Sequence, residues 1–104
     1  MDDRLPKLLA LHHADPHDAD VLYMIALEHT KAQRYEDAVA WLDRTLAQAP
    51  GYHYAYFQQA KAYEELGRHD RAKDTLVRGI RRAQEDGNGK AVGELTGLLE
   101  SLEE

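Results

Sequence analysis

PHDADVLYMIALEHTKAQRYEDAVAWLDRTLAQAP, residues 16–50, decides the fold, because residues 51–84 repeat its pattern. Pro16 and Pro50, Ala26 and Ala60, and Ala38 and Ala72 are each separated by 34 residues. At the same shift Leu22 falls on Tyr56, Leu42 on Leu76 and Leu46 on Ile80. Leu22, Ile25, Ala26 and His29 stand at i, i+3, i+4 and i+7, which is one face of a helix over 19–32. Asp18 offers an N-cap and Pro16 marks the turn before it. Ala38, Val39, Leu42, Thr45 and Leu46 place a second helix over 35–48, ended by Pro50-Gly51. The second copy predicts helices over 53–66, stopped by Gly67 in a left-handed C-terminal position, and over 69–85, broken by Gly87-Asn88-Gly89. No segment alternates apolar and polar residues at period two, so no strand is expected.

The flanks extend the pattern. Leu5, Leu8, Leu9 and Leu11 predict a helix over 4–13, with Pro6 tolerated in its first turn. Leu8 falls where Leu42 falls, so this segment echoes the second helix of a repeat. Val92, Leu95, Leu99 and Leu102 predict a last helix over 90–103, echoing Tyr56, Gln59, Tyr63 and Leu66 at a shift of 36. The expectation is a single all-α domain over 1–104: a flanking helix, repeats over 19–52 and 53–86, and a capping helix. The six antiparallel helices form an α-α superhelix. A hairpin cannot bury its apolar face alone, so about three repeats' worth of helix makes a stable stack.

A 34-residue unit of two helices is the tetratricopeptide length, and segments 19–52 and 53–86 resemble tetratricopeptide repeats. Ala26, Ala38, Ala60 and Ala72 match the small residues packed between paired helices, and Pro50 and Gly67 match the turn residues. Tyr35, Trp41, Tyr56 and Tyr63 match aromatic or apolar places. The departures are His29 for a tyrosine, Gln59 for a leucine, Gln33 for the turn glycine, Gly79 for an alanine and Gln84 for a proline. The resemblance implies a scaffold whose first helices line a concave groove that receives a peptide or a partner helix.

By that register the groove shows Tyr23, Leu27 and Lys31 from one repeat and Tyr54, Phe57 and Lys61 from the next. Tyr23 and Phe57 are equivalent and are expected to stack side by side, with Phe57 pointing away from the hairpin core. Aromatic anchors bordered by charge suit a binding surface. Some family members clamp a terminal carboxylate with polar groups; here Tyr23, Leu27 and Phe57 occupy those places, and only Lys31 and Lys61 nearby are cationic. Gly93 and Gly97 lie four apart on the side of the last helix that continues the groove.

Composition narrows the remaining classes. There is no cysteine, which excludes disulfides, thiolate metal sites and thiol nucleophiles. The net charge of −6 argues against nucleic acid as the main partner. Arg68, Arg71, Lys73, Arg78, Arg81 and Arg82 crowd one segment and leave anion contact as the lesser alternative; Glu94, Glu100, Glu103 and Glu104 crowd the end. His12, His13 and His17 are near in sequence, but Pro16 interrupts the helix between them, so no metal pair is expected. His29 falls at a packing position. Ser101 and the threonines have no nucleophile motif, and Gly87-Asn88-Gly89-Lys90 is too short for a phosphate loop. No enzyme, cofactor or membrane span is expected. The reading is a cytoplasmic protein-binding module, with self-association through the same groove as the alternative. Met1 points to a whole gene product.

Overall fold

The structure, a computed structural model, describes residues 4–103; Met1 and Glu104 lie outside the described residues. Six helices follow one another: α1 (Leu5–Ala14), α2 (Ala19–Lys31), α3 (Tyr35–Gln48), α4 (His53–Glu65), α5 (His69–Glu85) and α6 (Gly89–Leu102). The predicted bounds hold to within one residue. Among the described residues there is no strand. Each helix packs on the next, and α4 also touches α6, giving an array of 38 × 29 × 19 Å.

Local chemistry accounts for the ends. Asp18 caps α2, its carboxylate accepting from the N–H of Asp20 and Val21. Asn88 caps α6 by accepting from the Ala91 N–H. α2, α4 and α5 end alike. The N–H of Arg34, Arg68 and Asn88 donates to the carbonyl five residues back, at 2.9 Å each time. Such a cap needs a residue with positive φ, supplied by Gln33 (61°), Gly67 (73°) and Gly87 (67°). Gln33 thus keeps the turn geometry that glycine provides in the second repeat.

Small residues set the spacing between helices. Ala26, Ala38, Ala60 and Ala72 are all fully buried. Around them, Leu22, Ile25, Leu42 and Leu76 are also removed from water. The apolar stripe of each helix thereby gains most of its stability from its neighbours rather than from its own propensity. The last helix buries Ala91 and Leu95 most deeply, while Val92, Leu98, Leu99 and Leu102 are partly buried against the same cluster.

Gln59, where a leucine was expected, is fully buried between α4 and α3. Its Nε2 donates to the Val39 carbonyl at 3.1 Å and to Asp43 Oδ1 at 2.7 Å. The polar residue therefore ties the first repeat to the second. His29 is a packing histidine, as its position suggests: its ring stacks on Trp41 at 6.4 Å and its Nδ1 accepts from Arg34 Nε at 2.9 Å. No described helix is long and apolar enough to cross a membrane.

Candidate interaction surface

The first helices of the hairpins, α2 and α4, and the equivalent α6 present the candidate surface. Tyr54 is 49% exposed. Tyr23, Leu27 and Phe57 are half-buried, and Lys31 and Lys61 are exposed. Lys61 Nζ lies 5.5 Å from the Phe57 ring centroid, a cation over an aromatic face.

Two expectations for this strip are corrected. Tyr23 does not have Phe57 as its ring partner; it packs on Tyr52, with centroids 4.8 Å apart and planes at 33°. Tyr52 is carried by the turn after α3, and its hydroxyl donates to Asp20 Oδ1 at 2.8 Å. Burial, then that bond, hold the Tyr52 hydroxyl well above its usual titration range. Burial also raises Tyr23. Phe57, for its part, does not point clear of the core but packs partly against it. For Tyr23 the reason is the turn after α3, which places Tyr52 against α2.

At the α4–α6 junction, His53, Tyr54, Phe57, Ala91, Glu94 and Leu95 line a narrow crevice. It opens toward a cleft of about 390 Å³ edged by Tyr52, Asn88 and Lys90. His53 Nε2 lies 2.8 Å from Asp86 Oδ2, and Asn88 Nδ2 lies 3.2 Å from His53 Nδ1. Since Asn88 Oδ1 already accepts from Ala91, its amide donates to Nδ1, leaving Nε2–H to donate to Asp86. Arg82 Nε grips the same carboxylate at 3.1 Å. His53 and Arg82 together hold the Asp86 carboxyl below its ordinary range. This network pins the longer loop before α6. None of its contacts was legible in sequence, although the 33-residue spacing of His53 and Asp86 is close to one repeat. Gly93 and Gly97 have nothing within 4 Å of where a Cβ would stand, so the α6 side of the surface is open.

Acid balances part of the arginine-rich segment. Arg68 pairs with Glu36 at 2.6 Å, Arg78 with Asp74 at 3.5 Å and Arg82 with Asp86. A hollow on that helix of about 290 Å³ is lined by Asp70 and Asp74 as well as by Arg71 and Arg78. Among the described residues no three His or carboxylate side chains converge in a metal-holding group. His12 instead lies edge-on to Trp41 and meets Arg44.

Paired helices stacked at a 34-residue period, with an aromatic surface left on the first helices, define a helical-repeat scaffold. The chain belongs to the tetratricopeptide repeat family. The family model for the tetratricopeptide repeat matches residues 29–93. A tetratricopeptide repeat domain protein from Salinibacter ruber, solved in solution by NMR, is 35% identical, with a TM-score of 0.79 over 86% of this chain and 90% of that one. The same fold recurs at lower identity. The TPR2B domain of yeast Sti1, in its pHsp70 complex, is 20% identical with a TM-score of 0.87, over 95% of this chain and 79% of that one. PcrH in complex with the chaperone binding region of PopD is 19% identical with a TM-score of 0.88, over 97% and 77%. No curated protein matches the sequence.

Proposed function

We propose that this chain is a protein-interaction module whose concave surface receives an extended or helical peptide segment. Tyr23, Leu27 and Lys31 border it on α2, and Tyr54, Phe57 and Lys61 on α4. The observation that carries the reading is Tyr54, an aromatic ring 49% exposed on α4 beside the half-buried Phe57. Beside it lies the cleft of about 390 Å³ edged by Tyr52, Asn88 and Lys90, while Glu94 lines the narrow crevice against α6 and Lys61 lies over the Phe57 ring. Apolar centre and charged rim are the composition of a binding hot spot. Two proteins of the same fold are seen in complexes, the Sti1 domain with pHsp70 and PcrH with the chaperone binding region of PopD. The role is that of a scaffold, and no reaction is assigned to it.

The test is selection of binders from a displayed random-peptide library. Binders of the wild-type chain should lose at least tenfold in affinity for Tyr54→Glu, whose side chain is exposed enough for the fold to persist. They should be unaffected by Arg78→Glu. Binders that respond to Arg78→Glu and ignore Tyr54→Glu would move the site to the arginine helix.

A further inference from the structure

The two ends of the array carry complementary halves of one repeat. Every first helix has two buried faces. In α2, Val21 and Ile25 share a cluster with Leu8 of the preceding helix, whereas Ala26 shares one with Leu42 of the following helix. In α4, Tyr56 lies directly against Gly79 of the following helix. The α6 helix uses only the first face: Ala91 and Leu95, counterparts of Ala55 and Gln59, are buried. Its second face, Val92, Thr96 and Leu99, is only partly covered, although the counterparts Tyr56, Ala60 and Tyr63 are buried. The α1 helix has the converse opening. Leu11 stands 34 residues before Thr45, which is fully buried, and yet Leu11 is 54% exposed. The described helices cover the α6 face only in part and leave Leu11 exposed.

The geometry points to head-to-tail self-association, in which α6 of one copy docks on α1 of the next and completes a repeat. Two features single out a second copy. The first is size. The helix crossing pairs Tyr56 with Gly79 in the second repeat; the same register pairs Leu22 with Thr45 in the first, and Val92 with the next copy's Leu11 at the junction. As the residue on the first helix shrinks, the residue opposite grows, which keeps the filled volume level. The second feature is charge. Helices of one hairpin run antiparallel, so the start of α1 meets the C-terminal turn of α6. Arg4 and Lys7 stand at that start, and α1 itself, Leu5–Ala14, has no acidic residue, with Asp2 and Asp3 preceding it in the sequence. Glu100 and Glu103 stand at the end of α6. Arg4 takes the place of the buried Ala38, but α1 begins only at Leu5, so the bulk falls at the rim of the crossing. The contact is heterologous: each copy keeps one open end, and growth continues beyond the dimer.

Because the chain contains no cysteine, the register can be read by disulfide trapping. Two single variants, Leu11→Cys and Val92→Cys, are mixed at high concentration and oxidised. The expected product is the mixed 11–92 dimer, well above the statistical half, and one chain carrying both substitutions should give a ladder of covalent oligomers. Leu11→Cys mixed with Val77→Cys, another exposed site, should give only statistical products. In sedimentation, the wild-type mass should rise with concentration past the dimer and fall with added salt. Leu11→Glu and Val92→Lys should each be monomeric alone and, when mixed, form a dimer through the one wild-type junction with a substituted residue at each outer end, each variant keeping wild-type helical circular dichroism. A wild type that stays monomeric at millimolar concentration overturns the proposal. So does association that survives Leu11→Glu, statistical disulfides in the 11–92 mixture, or a dimer with no further growth.

Discussion

Gly79 lies directly beneath the ring of Tyr56: a Cβ built on Gly79 would come within 2.7 Å of Tyr56 Cβ and Cγ. These atoms sit at the root of the side chain and cannot swing aside as a flexible tip would. The departure from alanine at residue 79 is therefore the counterpart of a tyrosine 23 residues earlier. Gly79→Ala gains about 1 kcal/mol of helix propensity but meets an overpacking cost of about 1–3 kcal/mol. The expected outcome is net destabilisation in urea unfolding. The same substitution in a Tyr56→Leu background should turn neutral or stabilising, and an equal effect in both backgrounds would contradict the contact.

Gly93 and Gly97 behave oppositely. Each has open space where a Cβ would stand. Gly93→Ala and Gly97→Ala should each stabilise α6 by up to about 1 kcal/mol. Amide exchange of residues 90–103 reads this directly, since terminal units open at low cost. Faster exchange in the alanine variants would mean that the two positions need close backbone approach.

Gln33 adopts φ 61°, the left-handed conformation that Gly67 adopts at φ 73° one repeat later. A side chain there costs about 1–2 kcal/mol, partly offset by the greater freedom glycine has when unfolded. Gln33→Gly should raise stability by about 0.5–1 kcal/mol, seen as a higher urea midpoint at unchanged slope. Gly67→Gln should lower it by a similar amount.

His12 titrates against the fold. Burial, and then Arg44 and His13, depress its pKa below the ordinary 6.5. Its Nε2 faces Arg44 at 3.0 Å and its buried Nδ1 has no partner among the described residues. The folded chain therefore keeps the ring neutral while the unfolded chain takes up a proton below the ordinary value. Stability is present above about pH 6.5 and is lost as pH falls through the depressed folded value. Unfolding free energy measured from neutral to mildly acidic pH should decline, and His12→Leu should flatten that part of the profile. An unchanged slope in the variant would place the acid sensitivity elsewhere.

Ala60 is fully buried where α4 meets α5. Ala60→Leu should destabilise by about 1–3 kcal/mol through overpacking. A neutral effect on the denaturation midpoint would contradict the repeat register.

The residue order alone determined the six helices, their ends and the 34-residue register. Each of these depends on periodicity or capping within a few residues, and the repetition states each signal twice. The four alanines could be named as buried for the same reason. What only the tertiary structure decided involves side chains 16 to 35 residues apart in sequence. Tyr23 takes Tyr52 and not Phe57 as its ring partner, because the inter-repeat turn, whose path no periodicity describes, swings Tyr52 beside α2. Gln59 is tolerated in the core because Val39 and Asp43 happen to face its amide. The His53–Asp86–Asn88 network forms because the two extra residues before α6 bring a loop back onto the start of α4. Likewise, the exposure of Leu11 and the partial cover of Val92 follow from which neighbours stand beside them, a property of the array's ends that the repeat pattern, identical at every unit, does not contain.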